Sequence, residues 1–218
     1  MRPVGRAYKL EHATTANFLR LQKLLAAGSA GSWDRISEDL VAYVAIEAQN
    51  TWANFARAYY FSCFIETRLT SGAKVRVSPV FAGSRLVDAQ GHAINRFRTK
   101  KLKPDASGKW DPRDEPSWFN SDRLLDLCTD LGCSHLAGVR AALSPRPQAL
   151  DSLPTFRHFF AHRSESTTKS AVAEAAGLGL PTARGPAAAL VYRPSTSPCG
   201  TLDAWLAELA SAAHRLCA

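Results

Sequence analysis

No run of eighteen or more apolar residues occurs in this 218-residue chain, so no membrane-spanning helix is expected. The opening stretch MRPVGRAYKLEHATT has no apolar segment of the kind a secretory signal carries, and the expected compartment is the cytoplasm. Cysteine is sparse and its pattern unpaired: Cys63, Cys128, Cys133, Cys199 and Cys217 are odd in number and scattered. Cys128 and Cys133 lack the two-residue spacing of a zinc knuckle, so no structural metal site is expected. The thiols read instead as small buried hydrophobes of a reducing compartment. No internal repeat is present, and neither glycine nor proline interrupts residues 36 to 69.

What is present is 46% hydrophobic residues, enough for one substantial core without covalent staples. A single, mostly α domain over residues 1–218 is expected. NFLRLQKLLAAG, residues 17–28, places Phe18, Leu21, Leu24 and Leu25 at helical spacing before a glycine stop. Residues 36–69 read as a long central helix with aromatics on nearly every side, buried in a bundle. Residues 71–117 lose that pattern: GAKVRVSPVFAG alternates with period two, as a short strand or an extended loop, and KPDASGKWDPRDEPSW is rich in Pro, Asp and Gly. They form an irregular insertion. Further helices are predicted over 121–132, 134–143, the segment around 153–162 and about 201–217, giving a bundle of some six helices with very little sheet.

The formal charge is +8 and the isoelectric point near 9.5, a balance that attracts phosphate-bearing partners. The charge is concentrated in NRFRTKKLK, residues 95–103, where Arg96, Arg98, Lys100, Lys101 and Lys103 stand without an acid. Two readings stand: a solvated loop or helix end, and a surface facing RNA or an acidic partner.

Two groups of residues carry potential chemistry. Within the long helix, at about 100° per residue, Asn54 lies about 20° from Glu47, with Asn50 and Arg57 about 60° and 80° away on the same side. This polar strip on an apolar rod is either an internal network that locks the bundle or the wall of a site, because buried polar groups need partners. The second group lies in TFRHFFAHRSEST, residues 155–167. His158 and His162, four apart, have the spacing of a metal pair. Phe159 nevertheless stands where the glutamate of an HExxH helix belongs, and no third ligand is near in sequence, so no metal and no cofactor is expected. Arg157 and His162 suit a different reaction. Cleaving RNA without a metal needs a group near neutral pKa to move protons and a fixed cation to stabilise charge on the phosphorane.

Arg157-His158-Phe159-Phe160-Ala161-His162 resembles the Arg-x4-His motif of the HEPN superfamily, and FRHFFAHRS is similar to the segment found in prokaryotic HEPN proteins associated with toxin-antitoxin and phage-defence genes. The earlier helix with IEAQNTWANFAR looks like that group's counterpart helix, and EPSWF, residues 115–119, is similar to a short Glu-Pro-x-Trp feature. The likeness covers about residues 36–176, without 71–112. It implies a HEPN-like bundle that dimerises so that two motifs meet in a cleft, and a metal-independent endoribonuclease acting as a toxin or defence effector. It implies His162 as acid-base residue, Arg157 as phosphate stabiliser and His158 as an auxiliary catalytic group. Glu47, Asn50, Asn54, Arg57 and Arg163 are the substrate-wall candidates beside them. The partners implied are RNA, a second copy of the chain, and an antitoxin or defence-system protein; no membrane is involved. Ser164 departs from the pattern of those family toxins that carry tyrosine two residues after the histidine, so silencing by nucleotidylation there is not expected. The same resemblance leaves open a catalytically inactive module that binds RNA or nucleotide, or acts as a scaffold in a defence complex.

Overall fold

The computed structural model describes residues 1–28, 35–144, 146–193, 195, 197 and 199–218. Among these the protein is mostly α, as the pattern predicts. There are nine α-helices, a three-residue 3-10 turn and no strand, with only isolated bridges linking Arg68 to Arg6 and to Lys74. No helix among the described residues is long and apolar enough to cross a membrane. The helices are α1 (Ala7–Gly28), α2 (Arg35–Phe64), α3 (Leu86–Arg96), α4 (Ser121–Asp130), α5 (Leu136–Leu143), α6 (Gln148–His162), α7 (Glu165–Gly177), α8 (Pro186–Val191) and α9 (Thr201–Cys217).

The chain folds into two compact units, the first made of Met1–Ala13, Trp52–Pro145 and Ala213–Ala218, the second of Thr14–Thr51 and Arg146–Ala212. Helices α1, α2 and α9 contribute residues to both.

In the first unit, the later half of α2 buries Trp52, Phe55, Ala56, Tyr59, Tyr60 and Cys63, an i, i+3, i+4, i+7 series that makes a broad apolar stripe. Trp52, Phe55 and Tyr59 follow one another along it with ring centroids 5.6 and 6.1 Å apart. Helix α4 adds Leu124, Leu127 and Cys128, and α5 adds Val139 and Leu143. Helix α4 starts where Asn120 Oδ1 accepts from the backbone N–H groups of Asp122 and Arg123 at 2.9 and 3.2 Å, satisfying donors that would otherwise be left open at a helix start.

Helix α3 lies within the segment read as an irregular insertion. Its entry has no Ser, Thr, Asn or Asp cap; the Arg85 backbone N–H donates to Asp88 Oδ2 at 3.0 Å instead. The period-two stretch around residues 74–78 does not join a sheet. The Lys74 bridge and a Val75 N–H bond to the Thr67 carbonyl at 2.8 Å hold it as extended loop.

The second unit places Phe18, Leu21 and Leu25 of α1, Val41, Val44, Ala45 and Ala48 of α2, and Trp205, Leu206 and Leu209 of α9 in one core with Leu153 and Phe156 of α6. Phe156 and Trp205 meet with centroids 5.8 Å apart. Fully burying side chains of this size stabilises the fold by roughly 1.5–3 kcal/mol each. Helix α6 contains Pro154, which has no N–H for the Leu150 carbonyl one turn back.

Candidate functional site

Helix α6 is amphipathic at its C-terminal end. Phe156, Phe159 and Phe160 are buried, whereas Arg157, His158, Ala161 and His162 are exposed. At about 100° per residue the exposed four span an arc of about 140°. Burial of three phenylalanines on the opposite side fixes which way the polar side chains project: the helix cannot roll without exposing them. His158 and His162 are in ring contact, edge to face, with centroids 4.6 Å apart and planes at 65°. Arg157 stands about 100° from His158 and about 140° from His162 around the axis. Among the described residues, no group of three or more His, Cys, Asp or Glu side chains is placed to hold a metal ion.

The helix stops immediately after His162. Arg163 takes a left-handed backbone, φ 43° and ψ 38°, and its N–H bonds the Phe159 carbonyl at 2.7 Å. Glycine is the usual residue for this conformation. The Arg163 Nη2 donates to Asp39 Oδ1 of α2 at 2.9 Å, an exposed pair. Ser164 caps α7: its Oγ accepts from the Thr167 N–H at 3.2 Å, and the Ser164 N–H donates to Thr167 Oγ1 at 3.0 Å. Ser164, two residues after His162, thus serves as a helix cap.

The polar strip of α2 divides. In the second unit, Asn50 Nδ2 donates to Glu47 Oε1 at 3.1 Å, and both residues are half-buried. In the first unit Asn54 is exposed, and Arg57 is engaged elsewhere. Its Nε and Nη2 donate to Glu115 at 2.6 and 2.7 Å. Glu115 has 5% of its side chain exposed and also accepts from Gln90 Nε2 at 2.8 Å and Trp118 Nε1 at 2.7 Å. The bond to Glu115 holds the Arg57 pKa above its ordinary value, with burial opposing. The Glu-Pro-x-Trp stretch is therefore the hub of a hydrogen-bond network that includes Arg57, while Glu47 and Asn50 bond to each other.

The basic run 95–103 belongs to the first unit and is partly neutralised. Arg96 pairs with Asp130, and Arg98 Nη2 donates to Asp114 Oδ1 at 2.7 Å. Lys101 Nζ donates to the Asn95 carbonyl at 2.6 Å, while Asn95 Oδ1 accepts from the Leu102 N–H at 2.8 Å and closes the loop. Lys100 and Lys103 are exposed. Glu115, Gln90 and their tryptophan partner carry no local sequence signal beyond EPSWF itself, since Gln90 lies on a helix that the pattern does not announce.

Comparison with models of known protein families, with curated protein sequences and with solved structures finds no match for this chain.

Proposed function

We propose that the chain is a metal-independent endoribonuclease of HEPN type, a toxin or phage-defence effector that works as a homodimer. The observation that supports this best is the exposed end of α6, where two imidazoles touch at 4.6 Å and Arg157 occupies the same solvent-facing arc. The chemistry is transesterification. His162 removes the proton from a ribose 2′-OH, the 2′-oxygen attacks phosphorus, and the bond from phosphorus to the 5′-oxygen breaks. A protonated imidazole donates to that leaving oxygen, so the products are a 2′,3′-cyclic phosphate and a 5′-hydroxyl. Arg157 stabilises the extra charge on the phosphorane, and His158 orients His162 or serves as its proton partner.

Arg157 and His162 of one helix diverge by about 140°, so one phosphate is flanked by both groups when a second copy presents its own α6 end. Arg163 and the Glu47–Asn50 pair supply outer contacts to the RNA, and the exposed Lys100 and Lys103 add general attraction for the phosphate backbone. The test is incubation of total RNA with purified protein in excess EDTA. Arg157→Ala and His162→Ala, made at exposed positions, are expected to abolish cutting while the oligomeric mass stays that of the parent. Equal cutting by the parent and both variants contradicts the proposal. No cutting by the parent, with RNA still bound, favours the inactive module.

A further inference from the structure

The first unit carries a solvent-open cavity of about 380 Å³ on its surface, lined by Arg57, Phe61, Val87, Gln90, Lys109 and Trp110, among others. Its volume lies within the range of pockets that hold small molecules. Two features make it a built site. The first is the way its polar wall is held. Glu115 does not line the cavity, yet its buried carboxylate ties down both Arg57 and Gln90, which do. That contact uses two of the five guanidinium N–H groups of Arg57, and the guanidinium lies 4.8 Å from the Phe61 ring centroid. Three donors remain on a cation fixed from one side, and a fixed fork binds a planar anion at a smaller entropic cost than a free one.

The second feature is the seat of Trp110. A Cβ at Gly91 of α3 would come 2.5 Å from Trp110 Cζ2 and 2.7 Å from Cε2, so the indole occupies the space a side chain would fill. Glycine inside a helix costs roughly 0.5–1 kcal/mol relative to alanine, and here it sets an aromatic plane into the cavity wall. Among the described residues no acidic side chain lines the cavity. Glu115 offsets Arg57, and Lys109 leaves the lining with a net positive charge.

We propose that this cavity binds a small aromatic carboxylate, its ring packed against Trp110 and Val87 and its carboxylate on the free N–H groups of Arg57 and the Lys109 ammonium. A neutral aromatic would forgo the charge-assisted bonds, and a bare anion would forgo the ring contact. The proposal does not rest on the RNA reading: none of these side chains belongs to the α6 constellation, and Arg57, a substrate-wall candidate in the sequence, is held by Glu115 instead.

The experiment is calorimetric titration of the full-length protein with sodium 2-naphthoate, 2-naphthamide and sodium acetate. Saturable binding of naphthoate at one site is expected, at least about tenfold tighter than the amide, with no heat from acetate. Val87→Trp, which fills the cavity, is expected to abolish binding, and Lys109→Ala, at an exposed position, to weaken it several-fold. Gly91→Ala is expected to weaken it by displacing the indole. Circular-dichroism melts check that each variant is folded, and Lys109→Ala keeps the test available if the helix substitution is not. Naphthoate and naphthamide binding equally, binding that survives Val87→Trp, or no saturable binding at all each overturns the assignment.

Discussion

Arg57 and Glu115, 58 positions apart in sequence, are joined by two N–H to carboxylate bonds of 2.6 and 2.7 Å, and Glu115 has only 5% of its side chain exposed. Gln90 and Trp118 complete the carboxylate's coordination by donors. Removing the acid leaves four N–H donors, two of them from Arg57, without their acceptor; removing the arginine leaves a buried charge with two neutral donors. Arg57→Ala is therefore expected to destabilise the protein by about 3 kcal/mol and Glu115→Gln by about 1–2 kcal/mol. Urea unfolding of the two variants checks the order; equal and negligible effects would show that the network contributes nothing to stability.

The α6–α7 corner gives a second prediction. Arg163 adopts a left-handed conformation that glycine takes without penalty, and its ion pair with Asp39 is exposed, hence weak. Arg163→Gly should leave stability unchanged or raise it by up to about 1 kcal/mol. Chemical denaturation measures this directly, and a loss of stability would mean that the pair with Asp39 outweighs the backbone strain.

Ser164 next to it is expected to matter for the opposite reason. Its Oγ satisfies the Thr167 N–H at the start of α7, so Ser164→Ala should cost about 1 kcal/mol, and Ser164→Asp, which keeps an acceptor and adds a favourable charge at a helix N-terminus, should restore most of it. Thermal melts of the two variants give the comparison.

Stability should also fall in mild acid. His92 contacts the Tyr60 hydroxyl at 2.9 Å, and burial lowers its pKa from 6.5, reinforced by Arg96 and Lys101 and opposed by Asp130. Burial likewise lowers the pKa of His135, whose Nε2 has no hydrogen-bond partner among the described residues. A depressed histidine pKa means the unfolded chain takes up the proton first. Stability present above the unfolded value of 6.5 is therefore lost as pH falls below it and through the folded values. The urea midpoint should decline over that window, and the decline should shrink in a His92→Gln, His135→Gln double variant. An unchanged slope would place the titration elsewhere.

Much of the fold is written locally. Helices α2, α4, α5 and α9 follow from apolar spacing that repeats every three or four residues, with the buried series of α2 the clearest case. Helix α1 begins ten residues before the obvious stripe, because only Ala7, Leu10 and Thr14 of its first turns are buried and small or polar core residues leave a faint pattern. Helix α3 is hidden by Gly91 and by an arginine at its entry, and both make sense only once Trp110 and Asp88 are in place. The candidate site divides in the same way. His158 and His162 were bound to meet if their segment was helical, since the contact is between residues one turn apart. The partners of Arg57, Arg96 and Arg98 come from Glu115, Asp130 and Asp114, at sequence distances where no spacing rule operates. A run of five basic residues therefore looked more highly charged in sequence than it is in the folded chain.

The chemistry proposed for the exposed end of α6 is tested most directly by the termini of RNA cut in excess EDTA. If Arg157 and His162 carry out metal-independent cleavage, the parent protein yields fragments ending in a 2′,3′-cyclic phosphate and beginning with a 5′-hydroxyl, and His162→Ala yields none. Intact RNA with the parent protein, or the same fragments from His162→Ala, would contradict it.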